Sequence, residues 1–398
     1  MRRRRFRRRG AADRDASVAP DAAQANARPA AYNPRSMHLL LDISPHGYGH
    51  LAQAAPVVNA LRESLPALRL TVRSTLPQAV LASHLAGGFR RVERVGDLVP
   101  VMHDAVTVDV EATARAYAAL HAGWPARVAE DAAAIRVLRP DLVLSAMGCL
   151  SLAAAAAAGV PAAALGSFHW AEIYRRYCGR LPGADAIHDQ MLDAYGGAGV
   201  FLKLTPGMPM PELDGPVIGP VARLGRERRA ELRQRLELAN DTRVVLVALG
   251  GIPTRLAIER WPARDGLRWL VPADWNARRT DATAFEALGW PFGDLVGSAD
   301  AVVTKPGYGT FVEAACAGVP VVTLDRPDWP EAPYLMAWLD AHTRARVVRR
   351  DELESATVAD LLDALWSAPA PPRPAPTGNT AGAEILEALL TLRNPDIR

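Results

Sequence analysis

The sequence predicts an α/β fold made of two Rossmann-like parallel-sheet domains facing a central cleft, and three observations carry that expectation. The chain has 398 residues, more than one hydrophobic core usually serves. Short apolar runs alternate with helical patterns, the grammar of parallel sheets wrapped by helices. A dense cluster of Pro and Gly between 206 and 220 interrupts that alternation, which then restarts.

The apolar run 38–43 ends in Ser44-Pro45-His46-Gly47-Tyr48-Gly49-His50 and gives way to helical spacing at Leu51, Ala55, Val58 and Leu61. That is strand, glycine turn and helix. A strand is expected at 68–73, a helix at 76–85, and a buried strand at 141–145 after a long helix. The alanines of 153–158 predict a helix packed closely on a sheet and ended by Gly159. A strand at 160–165, a helix at 187–195 and a strand at 200–204 complete the first domain, 37–205. Segment 206–220 reads as a linker whose prolines and glycines break any regular element. The second domain, 221–367, is expected to hold a charged helix at 226–238 and strands at 243–249, 267–271 and 301–304. A Pro-rich extended segment, 368–377, then leads to a terminal helix within 378–398 that packs back on the body.

Apolar residues make up 49% and charged residues 22%, close to the average for soluble domains. No uncharged apolar run reaches the roughly 20 residues that span a bilayer. The net charge of +3 joins unlike parts: residues 1–36 hold ten Arg and three Asp, so this tail carries +7 and the remainder −4. The tail has too little apolar content to offset the entropy of ordering. Its charge alone would suit a nucleic-acid arm or anionic lipid head groups; the simpler reading is a dispensable tail, with no nucleic-acid partner and at most peripheral membrane contact. Cys149, Cys178 and Cys316 stand far apart, which suggests neither a disulfide framework nor a zinc site and suits a reducing, cytoplasmic setting.

Chemistry concentrates in three segments. The stretch from Ala301 through Thr304, Lys305, Pro306, Gly307, Tyr308, Gly309, Thr310 and Glu313 to Pro320 reads strand, glycine loop, helix, strand. Gly307 and Gly309 let backbone approach a ligand, and amides of a helix beginning near Thr310 would point at an anion such as a diphosphate, with Lys305 sharing the task. Glu313, placed in the first turn, could accept both hydroxyls of a ribose; alternatively it is a first-turn acid in a capping box with Thr310. In the first loop, Gly47 and Gly49 clear space at the strand's C-terminal edge, with His46 and His50 beside them. His50 at a helix start would be held neutral, as a general base requires, or would simply bond a loop carbonyl. Gly250 and Gly251 read as a second phosphate-facing turn or as a plain strand-to-helix turn. Phe168, Trp170 and Tyr174 read as an acceptor wall or as core. Neither domain carries a G-x-x-x-x-G-K-[ST] phosphate loop.

The run from Thr304 to Pro320 resembles the donor-site motif of the N-acetylglucosaminyltransferase that makes lipid II and its family 28 relatives. It is more similar still to the glycosyltransferase-like domain that precedes the kinase domain of plant arabinose kinases, and to free-standing bacterial relatives. Ser44 to His50 is similar to their G-H-G-[FY]-G-H loop, and Phe168-His169-Trp170 with Ile173-Tyr174 to their aromatic loop; together the resemblance spans most of 37–349. It implies the GT-B fold and a hexosyltransferase that needs no cofactor or metal. A nucleotide-diphosphate sugar, UDP-linked in preference, would sit against Gly250, Gly251, Lys305, Gly307, Gly309, Thr310, Glu313 and Glu331. An unknown acceptor would lie near His46, Gly47, Gly49, Phe168 and Trp170, with His50 as base. The chain departs from the pattern at Ala146, where an acidic residue usually follows the serine, at Gln53, where Arg is common, and in lacking the His-Gln pair that grips the donor sugar, for which Glu331 could substitute. Those departures keep two alternatives open: a non-catalytic nucleotide-sugar-binding module, and a sugar-nucleotide epimerase on the same fold.

Overall fold

The computed structural model describes residues 36–44, 48–94, 97–251, 254–355 and 357–392. The chain from Ser36 onward packs as one unit and holds two sheets. The first contains β1 (His38–Ile43), β2 (Arg69–Arg73), β3 (Arg90–Val92), β4 (Leu142–Ala146), β5 (Ala162–Gly166), β6 (Val200–Leu204) and β7 (Val217–Ile218), in the order β3-β2-β1-β4-β5-β6-β7. The second contains β8 (Arg243–Ala248), β9 (Leu267–Val271), β10 (Ala282–Ala284), β11 (Ala301–Thr304), β12 (Val321–Leu324) and β13 (Ala345–Val348), in the order β10-β9-β8-β11-β12-β13. All pairings within both sheets are parallel.

Each sheet therefore runs outward from its first strand, then returns to that strand's other side, so the order reverses between β1 and β4 and again between β8 and β11. Helices diverge at such reversals and leave a crevice at the strands' carboxyl ends. Central strands β1, β4, β5, β11 and β12 are buried along their whole length, as their continuous apolar runs require when both faces are covered.

Two expectations are corrected. Segment 206–220 is not free of regular structure: Val217–Ile218 pairs with β6 as an edge strand of the first sheet. The two sheets also do not keep separate cores. One apolar cluster joins Leu39 and Leu41 of β1, Val57 and Val58 of the Gly49–Ser64 helix, Leu246 of β8, Phe311 and Val312 of the Tyr308–Ala317 helix, and Leu386 and Leu390 near the C-terminus. Separate clusters fill the outer face of each sheet.

The terminal helix Gly378–Thr391 lies on the Gly49–Ser64 helix. The approach is close enough that a Cβ on Gly382 would stand 2.9 Å from Val57 Cγ1. No helix among the described residues is long and apolar enough to cross a membrane.

Beneath the first sheet lies a buried ion cluster. The Arg73 guanidinium on β2, 1% exposed, reaches Asp42 on β1 and Asp131, 2.9 Å away on the Trp124–Leu138 helix. Burial opposes the Arg73 charge, but the two carboxylates more than offset it and hold the group above its ordinary pKa. Removing one member of such a cluster strands the others in a dry interior. Arg73→Met is expected to lower stability by about 3–5 kcal/mol in urea unfolding; a loss below about 1 kcal/mol would show that Arg94, which also contacts Asp131 at 2.9 Å, compensates.

Candidate functional site

The first crevice is built at the β1/β4 reversal. Ser44 follows β1, and the Gly49–Ser64 helix opens with His50 in its first turn. His46 and Gly47 lie outside the described residues; Gly49 is exposed, with open space where a Cβ would project. His50 is 3% exposed. Its Nδ1 contacts Ser44 Oγ at 2.5 Å and the Ala146 carbonyl at 3.3 Å. A carbonyl can only accept, so the Ala146 contact requires the ring proton on Nδ1, whereas the shorter contact with the Ser44 hydroxyl fits either tautomer. Burial lowers the His50 pKa to about 4, with the Ala146 carbonyl opposing. Desolvation thus keeps the imidazole neutral. Ala146 supplies its main-chain oxygen where an acidic side chain could have oriented the ring.

Around His50 stand Trp170, with ring centroids 5.4 Å apart, and Phe168 at 6.1 Å. Trp329, from the segment after β12, joins them at 5.8 Å from Phe168 and 6.3 Å from Trp170. Phe168, Trp170 and Tyr174 are all buried. These aromatic residues, read from sequence as an acceptor wall or as core, belong to a packed cluster to which the second lobe contributes a ring.

The second crevice forms at the β8/β11 reversal. Gly250 ends the strand region at φ +85°, a conformation that favours glycine. A Cβ there would lie 3.5 Å from Lys305 Cε, and one on Gly307 would lie 3.1 Å from Lys305 Nζ. The two glycine turns, remote in sequence, thus flank one lysine, whose Nζ donates to the Pro306 carbonyl at 3.2 Å. Burial lowers the Lys305 pKa to about 8; Arg326 adds to the fall and Glu331 opposes it. Gly251, one residue further, is exposed.

The helix after this loop starts at Tyr308, earlier than expected, with Gly307 as N-cap and no side chain capping its amides. The capping box of Thr310 and Glu313 is accordingly not formed, and Glu313 lies in the second turn because the helix begins two residues before Thr310. Glu313 is half-buried, and burial pushes its carboxyl up to about 8 against the pull of Arg223. Arg223 in turn donates to the Ser83 carbonyl of the first lobe, so Glu313 stands where the lobes meet. Gly309 presses on the first lobe as well: a Cβ there would stand 3.1 Å from Ala52 Cβ, two residues past His50.

Glu331 is 4% exposed and fully engaged. Ser167 Oγ donates to its Oε1 at 2.6 Å, Trp329 Nε1 donates to its Oε2 at 3.1 Å, and Gln53 Nε2 donates to Ser167 Oγ at 2.9 Å. Burial raises the Glu331 pKa, partly countered by these bonds. Gln53, the departure noted in sequence, is a link in this bridge between lobes. Lys305, Glu331, His50, Phe168 and Trp170 are thereby drawn together, whereas Glu313 stands apart from them and feels the charge of Arg223. Sequence reading missed Ser167, Arg326 and Trp329. Their signal was positional: they follow β5 and β12 at the carboxyl edges where ligands bind. Among the described residues no group of three His, Cys, Asp or Glu stands ready to hold a metal ion.

No family model matches the chain, so the finer likeness to the lipid II enzyme rests on the Thr304–Pro320 run alone. The L-arabinokinase of Arabidopsis thaliana is 27% identical over 341 residues, covering 80% of this chain and 31% of that protein. The chain thus spans about a third of the length of the curated relative it matches. Among solved structures, CalG4, the calicheamicin glycosyltransferase, superposes with a TM-score of 0.61 at 20% identity, over 91% of this chain and 100% of its own. The glycosyltransferase VinC, solved with dTDP, gives 0.54 at 20% identity over 91% and 98%. The two parallel-sheet lobes have the GT-B fold.

A histidine whose folded pKa is depressed contributes stability that is present above its unfolded value near 6.5 and is lost as pH falls through its folded value. For His50 that window runs from about 6.5 to about 4. Across it, wild-type stability is expected to fall more steeply than that of His50→Gln, by up to about 3 kcal/mol. Parallel stability curves from chemical denaturation between pH 7 and pH 4 would show that the ring is not held neutral.

Proposed function

We propose that this chain is a glycosyltransferase that moves a hexosyl group from a nucleotide-diphosphate sugar, a UDP-sugar in preference, to an acceptor hydroxyl. The observation that carries the reading is the juxtaposition at Ala52 and Gly309. It sets a neutral, oriented imidazole on one lobe against an uncapped helix start and a lysine between two glycine turns on the other. A base and an oxyanion site on facing strand edges are what such a transfer needs. The dTDP bound by VinC is consistent with a nucleoside diphosphate in this cleft.

In this reading His50 Nε2 takes the proton of the acceptor hydroxyl as its oxygen bonds to the anomeric carbon. The bond from that carbon to the diphosphate oxygen breaks, and the leaving group carries the electron pair away. Lys305 and the first amides of the Tyr308–Ala317 helix face the charge that develops. Glu313 accepts the ribose hydroxyls.

The closed bridge of Gln53, Ser167 and Glu331 favours one competing reading, a module that binds nucleotide sugars without turning them over. The two differ at His50. His50→Ala is expected to slow transfer by about 10²- to 10⁴-fold while donor affinity in calorimetry stays the same; unchanged turnover would leave the binding module.

Two further outcomes concern Glu313. Glu313→Ala is expected to weaken nucleotide-sugar binding by about 1.5–3 kcal/mol, and an unchanged dissociation constant would remove the carboxylate from the site. Burial holds this group protonated up to about 8, and accepting two hydroxyls needs the ionised form, while Lys305 loses its charge in the same range. The affinity gap between wild type and Glu313→Gln, in which the Lys305 effect is common to both, should therefore widen as pH rises toward 8. A gap that stays constant between about pH 6.5 and 9 would contradict that role.

A further inference from the structure

Arg326, on the segment between β12 and the Ala332–His342 helix, is used by nothing described so far, yet it is placed like a ligand residue. It is 3% exposed. Its Nε donates to the Val106 carbonyl of the first lobe at 3.0 Å, and its guanidinium carbon sits 4.0 Å over the Trp329 ring. These two contacts fix the plane of the guanidinium. Its Nη2 is buried and makes no hydrogen bond within the described protein.

The surrounding carboxylates do not satisfy it. Glu331 has its oxygens engaged by Ser167 and Trp329, and Asp328 Oδ2 accepts from the Tyr177 hydroxyl at 2.9 Å. Burial holds both Arg326 and Lys305 below their ordinary pKa, and Arg326 lowers Lys305 further; at Arg326 the charges of Tyr177, Asp328 and Glu331 and a polar contact with the Tyr177 hydroxyl oppose the fall without reversing it. A buried guanidinium with an unused donor edge is costly, and natural structures retain one where an anion completes it. The planar fork suits two oxygens of one oxyanion.

We infer that Arg326, with Lys305 beside it, seats an oxyanion of the bound donor: a phosphate of the diphosphate or a carboxylate on the transferred sugar. This rests on the donor reading given above and extends it to a residue outside the glycine loop. Trp329, which Arg326 covers, packs on the Phe168 and Trp170 rings that flank His50. The fork therefore lies toward the side where the sugar must meet the acceptor, which favours an acidic sugar.

The test is calorimetric binding to the full chain of UDP, GDP, ADP and TDP, then of the glucose and glucuronate conjugates of whichever base binds. Wild type is compared with Arg326→Gln, and with Arg326→Lys, which keeps the charge without the fork; thermal unfolding checks that each variant is folded. Arg326→Gln is expected to weaken binding roughly 10- to 100-fold, with Arg326→Lys in between. A loss shared by the free diphosphate and both conjugates assigns the fork to phosphate, and a loss confined to the glucuronate conjugate assigns it to the sugar carboxylate. Affinities within threefold of wild type for all ligands overturn this inference alone. Failure of wild type to bind any nucleoside diphosphate or conjugate overturns the donor reading and this inference with it. Should Arg326→Gln not fold, Arg326→Lys decides by the same threefold limit.

Discussion

The packing of the Gly49–Ser64 helix against both lobes is the constraint on which the rest of the structure depends. Its residues Leu51, Ala54, Ala55, Val57, Val58 and Leu61 are almost wholly buried, each Leu and Val among them contributing about 1.5–3 kcal/mol by removal from water. The helix touches the first sheet, the Tyr308–Ala317 helix and the terminal helix at once. Small residues make this possible: Ala52 meets Gly309, and Gly382 admits Val57. Because His50 stands in the first turn of this helix and Gly309 in the first turn of the other, close packing brings two strand-edge crevices into one cleft.

The same exclusion of water sets the chemistry. Burial disfavours the charged form whatever its sign, so His50, Lys305 and Arg326 are lowered while Glu313 and Glu331 are raised. The cleft thus holds its ionisable groups away from their ordinary states, partly satisfied by one another through Ser167, Gln53 and Trp329. A charged ligand with hydroxyl groups would complete these partners, which is how a preorganised site differs from an ordinary buried cluster. The Arg73 cluster beneath the first sheet is made of charges that pair with one another, Arg73 with Asp42 and Asp131 and Arg94 with Asp131. It belongs to the architecture and not to the cleft.

The alternation of strands and helices was legible because each depends on spacing within a few residues; β6, β9 and β11 lie where their apolar runs place them. Boundaries near Gly and Pro were less so. Val217–Ile218 reads as linker from its neighbours, but it lies beside an unpaired edge of β6 and takes it. The start of the Tyr308–Ala317 helix is hidden in the sequence because Gly309 suggests a loop, whereas its missing side chain serves contact with Ala52. Within the cleft, the glycine turns and Lys305 could be picked out by residue type. Arg326, Trp329 and Ser167 could not, since a buried arginine and a surface one look alike until packing is known.

Local pattern by itself determined two parallel sheets, their glycine-edged strand ends, and a histidine and a lysine set at those ends. These follow from hydrophobic period and from backbone freedom, both of which act over a few neighbouring residues. Only the tertiary structure decided that the sheets share one apolar core, that burial holds His50 neutral, and that Glu331 joins the lobes while Arg326 keeps an unused donor edge. Those facts depend on how much water is excluded around each group and on partners more than a hundred residues away, which no local window of sequence contains.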